Sequence, residues 1–482
     1  MFDVRPALYV IGLMLAALGG LMLIPAAVDF YDGNGNASAF VTSALITWAI
    51  GSMVALASRN SLKAGFGIRQ AYLLTVLAWV TLSAFACLPF RFGAPLLSAT
   101  DAYFEAVSGL TTTGATMILG LDALPPGVKL WRGMLNSIGG LGVAFIAMIF
   151  LPVMRIAGMQ FFRVQGYDTL GKLLPRASDI ALSLLGIYAG LTALCIVTYV
   201  ALGMTALDGV VMGMATVSTG GFTATDASFN TYPGALHYAA ALFMVLGALP
   251  YIRFVQLVAG SARPMLQDRQ VRGYLLALGF FVLAVSLWRA STAGGPFEPT
   301  FRTTLFNITS IFSTTGFAAG GFADWGGFAL VVAFMVGMIG GCSGSSSGGL
   351  GVFRVQIVLA AIRSELRQIT APNRIAPVRY DGRAVDAGTM DAVTLFMTGY
   401  VLAMGLLAVG LTLTGVDSLS ALWASWASIG NIGYVVRPLT TDLGPFAQFP
   451  EAAKWLLITG MLAGRMALVA VLVVLLPRFW RA

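Results

Sequence analysis

The chain has 482 residues, of which 58% are hydrophobic and only 10% charged, with a mean hydropathy of +0.85 and a formal net charge of +8. A soluble domain carries roughly 25% charged residues, so this composition excludes a soluble globule and points to a bilayer. Cys87, Cys195 and Cys342 all fall in apolar or glycine-rich stretches and read as small buried hydrophobes rather than a disulfide framework.

In chain order, apolar runs of about 20 residues, enough to cross a hydrocarbon core, fall at 7–28, 39–57, 70–90, 130–154 and 178–203, then at 234–260, 272–290, 327–362, 388–414 and 452–476. They predict ten spans. The first lacks a clear cleavage site and is long enough to span, so it reads as a transmembrane helix rather than a signal peptide. After the third, fifth, seventh and ninth runs stand four short, more polar segments, each with a bulky apolar residue ten positions before a glycine. These are Phe104 to Gly114, Val210 to Gly220, Phe306 to Gly316 and Trp423 to Gly433. Irregular backbone at membrane depth survives only when packed in protein or lining a wet cavity. The expected fold is therefore an all-α membrane protein with four helix–pore-loop–helix repeats around one ion path. A two-helix N-terminal domain (1–58) precedes repeats at 59–154, 155–260, 261–370 and 371–482.

The chemistry of the four segments suits a cation. Their candidate filter residues are Thr112, Thr113 and Gly114; Ser218, Thr219 and Gly220; Thr314, Thr315 and Gly316; and Asn431, Ile432 and Gly433. Glycine allows backbone angles that turn successive carbonyls to one side. A carbonyl ring replaces the hydration shell of K⁺ without fixed charge, and no carboxylate lies in these stretches to favour Ca²⁺ or Mg²⁺. The short helices also aim their negative C-terminal ends at the glycines.

Charge sets the orientation. With the N-terminus cytoplasmic, 19 of the 28 Lys and Arg fall on the side of both termini, seven on the other, and Arg253 and Arg465 within spans. The positive-inside rule places both termini in the cytoplasm. Twelve of the 20 acids, Asp29, Asp101, Glu105, Asp226 and Asp324 among them, fall outside, an excess that attracts cations to the mouth. The inner basic residues are what topology requires and give no sign of nucleic-acid binding.

On the cytoplasmic half, the eighth run is broken by Gly340, Gly341, Cys342, Ser343, Gly344, Ser345, Ser346, Ser347, Gly348 and Gly349. No regular helix holds such a sequence, and it has no apolar face for lipid. It reads as a gating loop. An unpaired charge at mid-span costs at least about 2.5–3.5 kcal/mol against lipid, so Arg465 is expected to face the interior. Arg253 reads as a snorkelling side chain, and His237 as an interfacial one. Gly344 to Gly348 matches G-x-S-x-G, but that motif needs a strand–turn–helix setting and a histidine base, and the sole histidine, His237, belongs to another span. An enzyme is not expected. The rival reading is a secondary transporter of a small organic solute, whose folds also break helices but generally show two inverted repeats.

The stretches LWRGMLNSIGGLGV (130–143), STGGFT (218–223), STTGF (313–317), GGCSGSSSGGLGVFR (340–354) and Gly464-Arg465 give the chain a resemblance to the TrkH/KtrB superfamily of potassium transport proteins. It covers nearly the whole length, and the two extra N-terminal spans are similar to the TrkH branch. The resemblance implies a homodimer in the bacterial cytoplasmic membrane, one pore per protomer, K⁺ as the transported ion and no organic cofactor. It also implies a cytoplasmic nucleotide-binding regulator of the TrkA type, and places the 340–349 loop and Arg465 on the ion path as a gate. Three positions depart from the family pattern: Tyr434 where proline is usual, Gly351 where lysine is frequent, and Ala467 where glutamate is frequent.

Overall fold

The computed structural model describes residues 3–60, 67–145, 177–371, 373, 376–433, 446–466 and 469–480. Helices dominate; the only strands among the described residues are the antiparallel pair Arg379–Tyr380 and Arg383–Ala384. Among the described residues, six helices are long and apolar enough to cross a membrane: Arg5–Asp32, Ala37–Ser58, Arg69–Phe92, Ala181–Ala201, Arg269–Ala293 and Ala387–Leu413. The first two pack backbone to backbone, since a methyl on Gly12 would stand 2.6 Å from the Ala55 nitrogen and one on Gly51 2.5 Å from that of Ala16. Small residues permit that approach where lipid offers no competing hydrophobic drive.

The other four expected runs behave differently. Pro126–Phe145 leads into residues outside those described. The run expected at 234–260 is a helix pair, Ala235–Gly247 and Tyr251–Val258, bent by 93°; Pro250 at the corner has no N–H to continue the ladder. The run at 327–362 separates into Gly327–Ile339 and Val352–Thr370, with positive φ at Gly340, Gly344, Gly349 and Gly351 between them. The last ends its helix at Arg465 and resumes at Val469. Among the described residues, long unbroken apolar helices therefore number six, or seven if the bent pair is one span; proline interrupts the sixth expected run and glycines the eighth.

Four short helices, Ala99–Leu110, Ala206–Val217, Phe297–Phe312 and Ser418–Gly430, precede the glycine segments. Ser98, Thr205 and Asp417 cap three of them by accepting from first-turn N–H groups. Two large apolar clusters flank them. One gathers Phe229, Phe306, Phe317 and Trp426; the other Phe40, Phe104, Trp131 and Phe446.

A ring of four helix ends and the loop beside it

Each short helix ends in the same pair of hydrogen bonds. Thr113 N–H donates to Ser108 O (2.9 Å), Gly220 to Ala215 (2.7 Å), Thr315 to Ser310 (2.8 Å) and Ile432 to Ala427 (2.8 Å). One residue earlier, Thr112 donates to Gly109, Thr219 to Thr216, Thr314 to Ile311 and Asn431 to Ser428, all within 3.0–3.2 Å. These are Schellman caps. The left-handed residue is Thr112 (φ 51°), Thr219 (51°), Thr314 (60°) or Asn431 (51°). Glycine is the usual occupant, and a β-branched side chain there is a strained outlier costing of order 1–3 kcal/mol.

This shared geometry corrects the register expected for the second segment. Two residues beyond the left-handed position stand Gly114, Gly221, Gly316 and Gly433, so Gly221, not Gly220, is the counterpart of the other three glycines. Gly220 takes the place of Thr113, Thr315 and Ile432. Counting ten residues from Val210 missed this because the tandem Gly220-Gly221 lets either glycine close the interval.

The segments meet around a common centre. A methyl on Gly114 would stand 2.5 Å from Gly220 O; one on Gly221 would collide with Thr315 O, and one on Gly433 with Thr113 O. Gly114, Gly221 and Gly433 thus each face the backbone of another segment. All twelve candidate filter positions lie in this ring, and the Thr112, Thr113, Ser218, Thr219, Thr314, Thr315 and Asn431 side chains are fully buried. Among the described residues no donor reaches the carbonyl oxygens of Thr112, Thr113, Thr219, Gly220, Thr314, Thr315, Asn431 or Ile432. Buried carbonyls normally find partners, so eight without one among the described residues are a ready set of neutral oxygen ligands.

Two residues that the sequence reading left among the outer charges brace this ring. Arg132 Nε pairs with Glu105 Oε1 at 2.9 Å, both side chains essentially inaccessible. Glu105 also accepts from Thr116 Oγ1 and the Met117 N–H, while Arg132 donates to Thr223 O (2.7 Å) and stacks over Phe222. The pair joins the first segment to the second. The signal for it was a lone arginine inside an otherwise apolar run after Trp131. Neither residue contributes to an acidic mouth, nor does Asp29, which is buried and accepts from the Gly127 N–H at 2.7 Å.

The 340–351 stretch packs against the ring as a loop tied down at both ends. Ser347 Oγ donates to Ser313 O (2.7 Å) and Gly348 N–H to Thr314 Oγ1 (2.8 Å). Cys342 N–H donates to Ala248 O, Tyr251 N–H to Gly344 O, and Val352 N–H to Gly341 O. Tyr251 Oη and Ser346 Oγ share a 2.9 Å hydrogen bond. Ser345 Oγ closes back onto Cys342 O. Arg465 reaches this loop: its Nη2 donates to Ser346 O at 2.6 Å. Loop residues including Gly340's neighbour Gly341, Ser343, Gly344, Ser345, Gly348 and Gly349 line a cavity of about 90 Å³ with Arg465. Gly351 has φ 84°, and the Arg354 guanidinium lies 3.0 Å from where a Cβ would stand. Tyr434 and Ala467 lie outside the described residues.

Two smaller expectations are corrected. Arg253 does not snorkel but pairs with Asp268 at 2.7 Å, which a carboxylate at the next helix N-terminus makes possible. His237 is buried, its Nε2 3.1 Å from Phe229 O, rather than interfacial. It is not paired with Ser346, whose hydroxyl partners are Tyr251 and Gly140.

Comparison with known proteins agrees with this architecture over the full length. A family model described as "TrkH: Cation transport protein" matches residues 36–481. The chain is 37% identical to the Trk system potassium uptake protein TrkI of Halomonas elongata, covering 99% of this chain and 97% of that protein. It is 32% identical to TrkH of Escherichia coli over 98% of both. The crystal structure of the potassium transporter TrkH from Vibrio parahaemolyticus superimposes with a TM-score of 0.90 at 32% identity, covering all of both chains.

Proposed function

The chain belongs to the TrkH family of cation transport proteins, and from that premise we propose that the ring of four helix ends is its K⁺ selectivity filter. The protein is a membrane-spanning potassium-uptake transporter of the Trk system, not an enzyme, and its setting is the bacterial inner membrane. A Trk system includes a cooperating regulatory subunit; we assign that role to a cytoplasmic TrkA-like nucleotide-binding protein acting on a homodimer whose termini face the cytoplasm.

The observation that carries the filter reading is the set of eight carbonyls, at four equivalent caps, that no donor among the described residues reaches. A K⁺ ion entering from the outer face exchanges water for these oxygens. Among the described residues the ring carries no unpaired negative charge, because Glu105 is neutralised by Arg132 and turned toward Thr116 and Met117. A monovalent, weakly hydrated ion is favoured over a divalent one.

The loop formed by Gly340, Gly341, Ser343, Gly344, Ser345, Ser346, Ser347, Gly348 and Gly349 is the proposed gate. Its contacts with Ser313 and Thr314 put it against the filter, and Arg465 holds it through Ser346 O. Opening requires these bonds to be exchanged, and the regulator supplies the bias. We retain four pore repeats and ten spans, with the broken second helices counted as crossings.

Rb⁺ uptake into proteoliposomes of purified protein, with Na⁺ competition and an imposed pH gradient, tests this reading. The expected result is K⁺-competed Rb⁺ uptake whose K⁺/Na⁺ preference drops in a Gly221→Ala variant. An unaltered preference in Gly221→Ala and Gly114→Ala alike removes the ring from the selectivity site.

A further inference from the structure

On the loop side of the molecule, an open cleft of about 840 Å³ lies between Arg269–Ala293, Val352–Thr370 and the 376–380 strand region. Five arginines line it: Arg269, Arg272, Arg363, Arg367 and Arg379. None of the five forms an ion pair with a described residue. Arg269 stacks over Tyr380, and Arg272 Nε donates to Leu266 O. The nearby carboxylate Asp268 is already engaged by Arg253, and Glu365, though on the same helix, does not line the cleft. The sequence reading absorbed these arginines into the positive inner face, and transport through the ring does not use them.

Five guanidinium groups without an acidic partner among the described residues call for an anion, and planar guanidinium forks suit phosphate oxygens. The apolar surroundings say which anion. Leu276 and Leu359 belong to the cleft wall, and from Leu276 an exposed stripe continues along the membrane-spanning helix Arg269–Ala293 through Phe280, Leu283 and Leu287. Leu276 is 75% and Phe280 66% exposed. The spacing of four, three and four residues keeps this stripe on one helix face. Ile362, Leu366 and Ile369 are likewise exposed on Val352–Thr370. A soluble anion has no use for such a track, whereas a phospholipid has a phosphate for the arginines and acyl chains for the stripe. Basic pockets at the ends of transmembrane helices bind anionic headgroups on this basis.

We propose that this cleft is a binding site for the phosphate of an anionic membrane phospholipid, with an acyl chain laid along Leu276, Phe280, Leu283 and Leu287. The proposal goes beyond ion transport, and its readout is lipid binding rather than flux, so it fails independently of the filter assignment.

The test is native mass spectrometry and thermal unfolding of the purified full chain in a neutral detergent, titrated with phosphatidylglycerol, phosphatidylcholine or inorganic phosphate. Phosphatidylglycerol is expected to bind and raise Tm, while phosphatidylcholine and inorganic phosphate do neither. In Arg272→Gln/Arg363→Gln/Arg367→Gln the apparent affinity for phosphatidylglycerol drops about tenfold or more, from the summed effect of basic residues at an anionic headgroup. The corresponding triple Lys variant keeps most of it. Should the triple Gln variant not fold, Arg363→Gln and Arg367→Gln singly must each weaken binding. Equal protection by inorganic phosphate overturns the lipid assignment in favour of a soluble anion. Unchanged phosphatidylglycerol affinity in a folded variant overturns the site itself. Loss of binding to the regulatory subunit with lipid affinity intact identifies a protein-docking surface instead and overturns the proposal.

Discussion

The ring and the adjoining loop are built from the same small and hydroxyl-bearing residues, yet their backbones are held by different partners. In the ring, local helix caps consume the N–H groups, and no donor among the described residues reaches eight of the carbonyls. In the loop, Ser346 O, Gly344 O, Gly341 O and Cys342 O are each engaged by Arg465, Tyr251, Val352 and Ser345. The ring is a repeated local solution braced by one buried ion pair. The loop is a single tertiary solution held by neutral hydrogen bonds and one cation. A site that must bind and release ions needs oxygens with no competing donor, whereas an element that must move needs bonds that can be exchanged at little cost.

The strongest break of this contrast removes the brace. Arg132→Met leaves Glu105 buried without its partner and is expected to destabilise by about 3–5 kcal/mol. Glu105→Gln added to it should recover much of that loss. Thermal unfolding of the purified single and double variants measures both, and equal stabilities of parent and Arg132→Met would show that the ring does not depend on the pair.

Next in size is Arg465→Ala. If Arg465 stands on the ion path, as proposed, its guanidinium opposes a K⁺ at 4 Å by about 4 kcal/mol at an effective dielectric near 20, and its removal also frees Ser346 O. Basal Rb⁺ uptake per folded protein is expected to rise without regulator. Deletion within Ser343 to Gly348 should do the same, and the combination should gain less than the sum because both act on one constriction. Rates at or below the parent's in both variants would take the loop and Arg465 out of the gate.

Gly221 and Gly220 sharpen the comparison within the ring. Gly221 has φ 76° and a Cβ there collides with Thr315 O, whereas a Cβ on Gly220 meets the side chain of Asn136. With strain of about 1–3 kcal/mol at Gly221, Gly221→Ala is expected to lower the K⁺/Na⁺ uptake ratio roughly tenfold and Gly220→Ala by less. The reverse order would restore the ten-residue register.

The smallest effect is at the N-terminal end of the fourth short helix. Asp417→Ala removes a cap that accepts from the Leu419 and Ser420 N–H groups and costs about 1 kcal/mol. Burial opposes ionisation of Asp417, but hydrogen bonds from Ser420 and Leu419 outweigh it and hold the carboxyl below the usual carboxylate range. Its contribution is therefore complete above that range and lost as pH falls through the lowered folded-state value. Urea titrations of parent and variant at neutral and acidic pH should converge on acidification; a constant gap would show that the cap does not depend on the charged form.

Hydropathy, the fourfold recurrence of a bulky residue before glycine, and the STGGFT, STTGF and glycine–serine motifs carried the membrane class, the family and the location of the ring. These are local properties: apolar length decides the solvent, and glycine and threonine after a short helix decide where its cap can form. The register at Gly221, the continuity of the spans and the fate of individual charges depended on tertiary structure. Tandem glycines satisfy either count in one dimension, and only neighbouring backbone separates them. Arg132 and Glu105 stand 27 residues apart, Arg253 and Asp268 fifteen, and Arg465 and Ser346 119. Whether a charge is paired in the interior or exposed at a mouth is set by what folding brings against it, because desolvation and Coulomb attraction act through space and carry no trace in sequence separation.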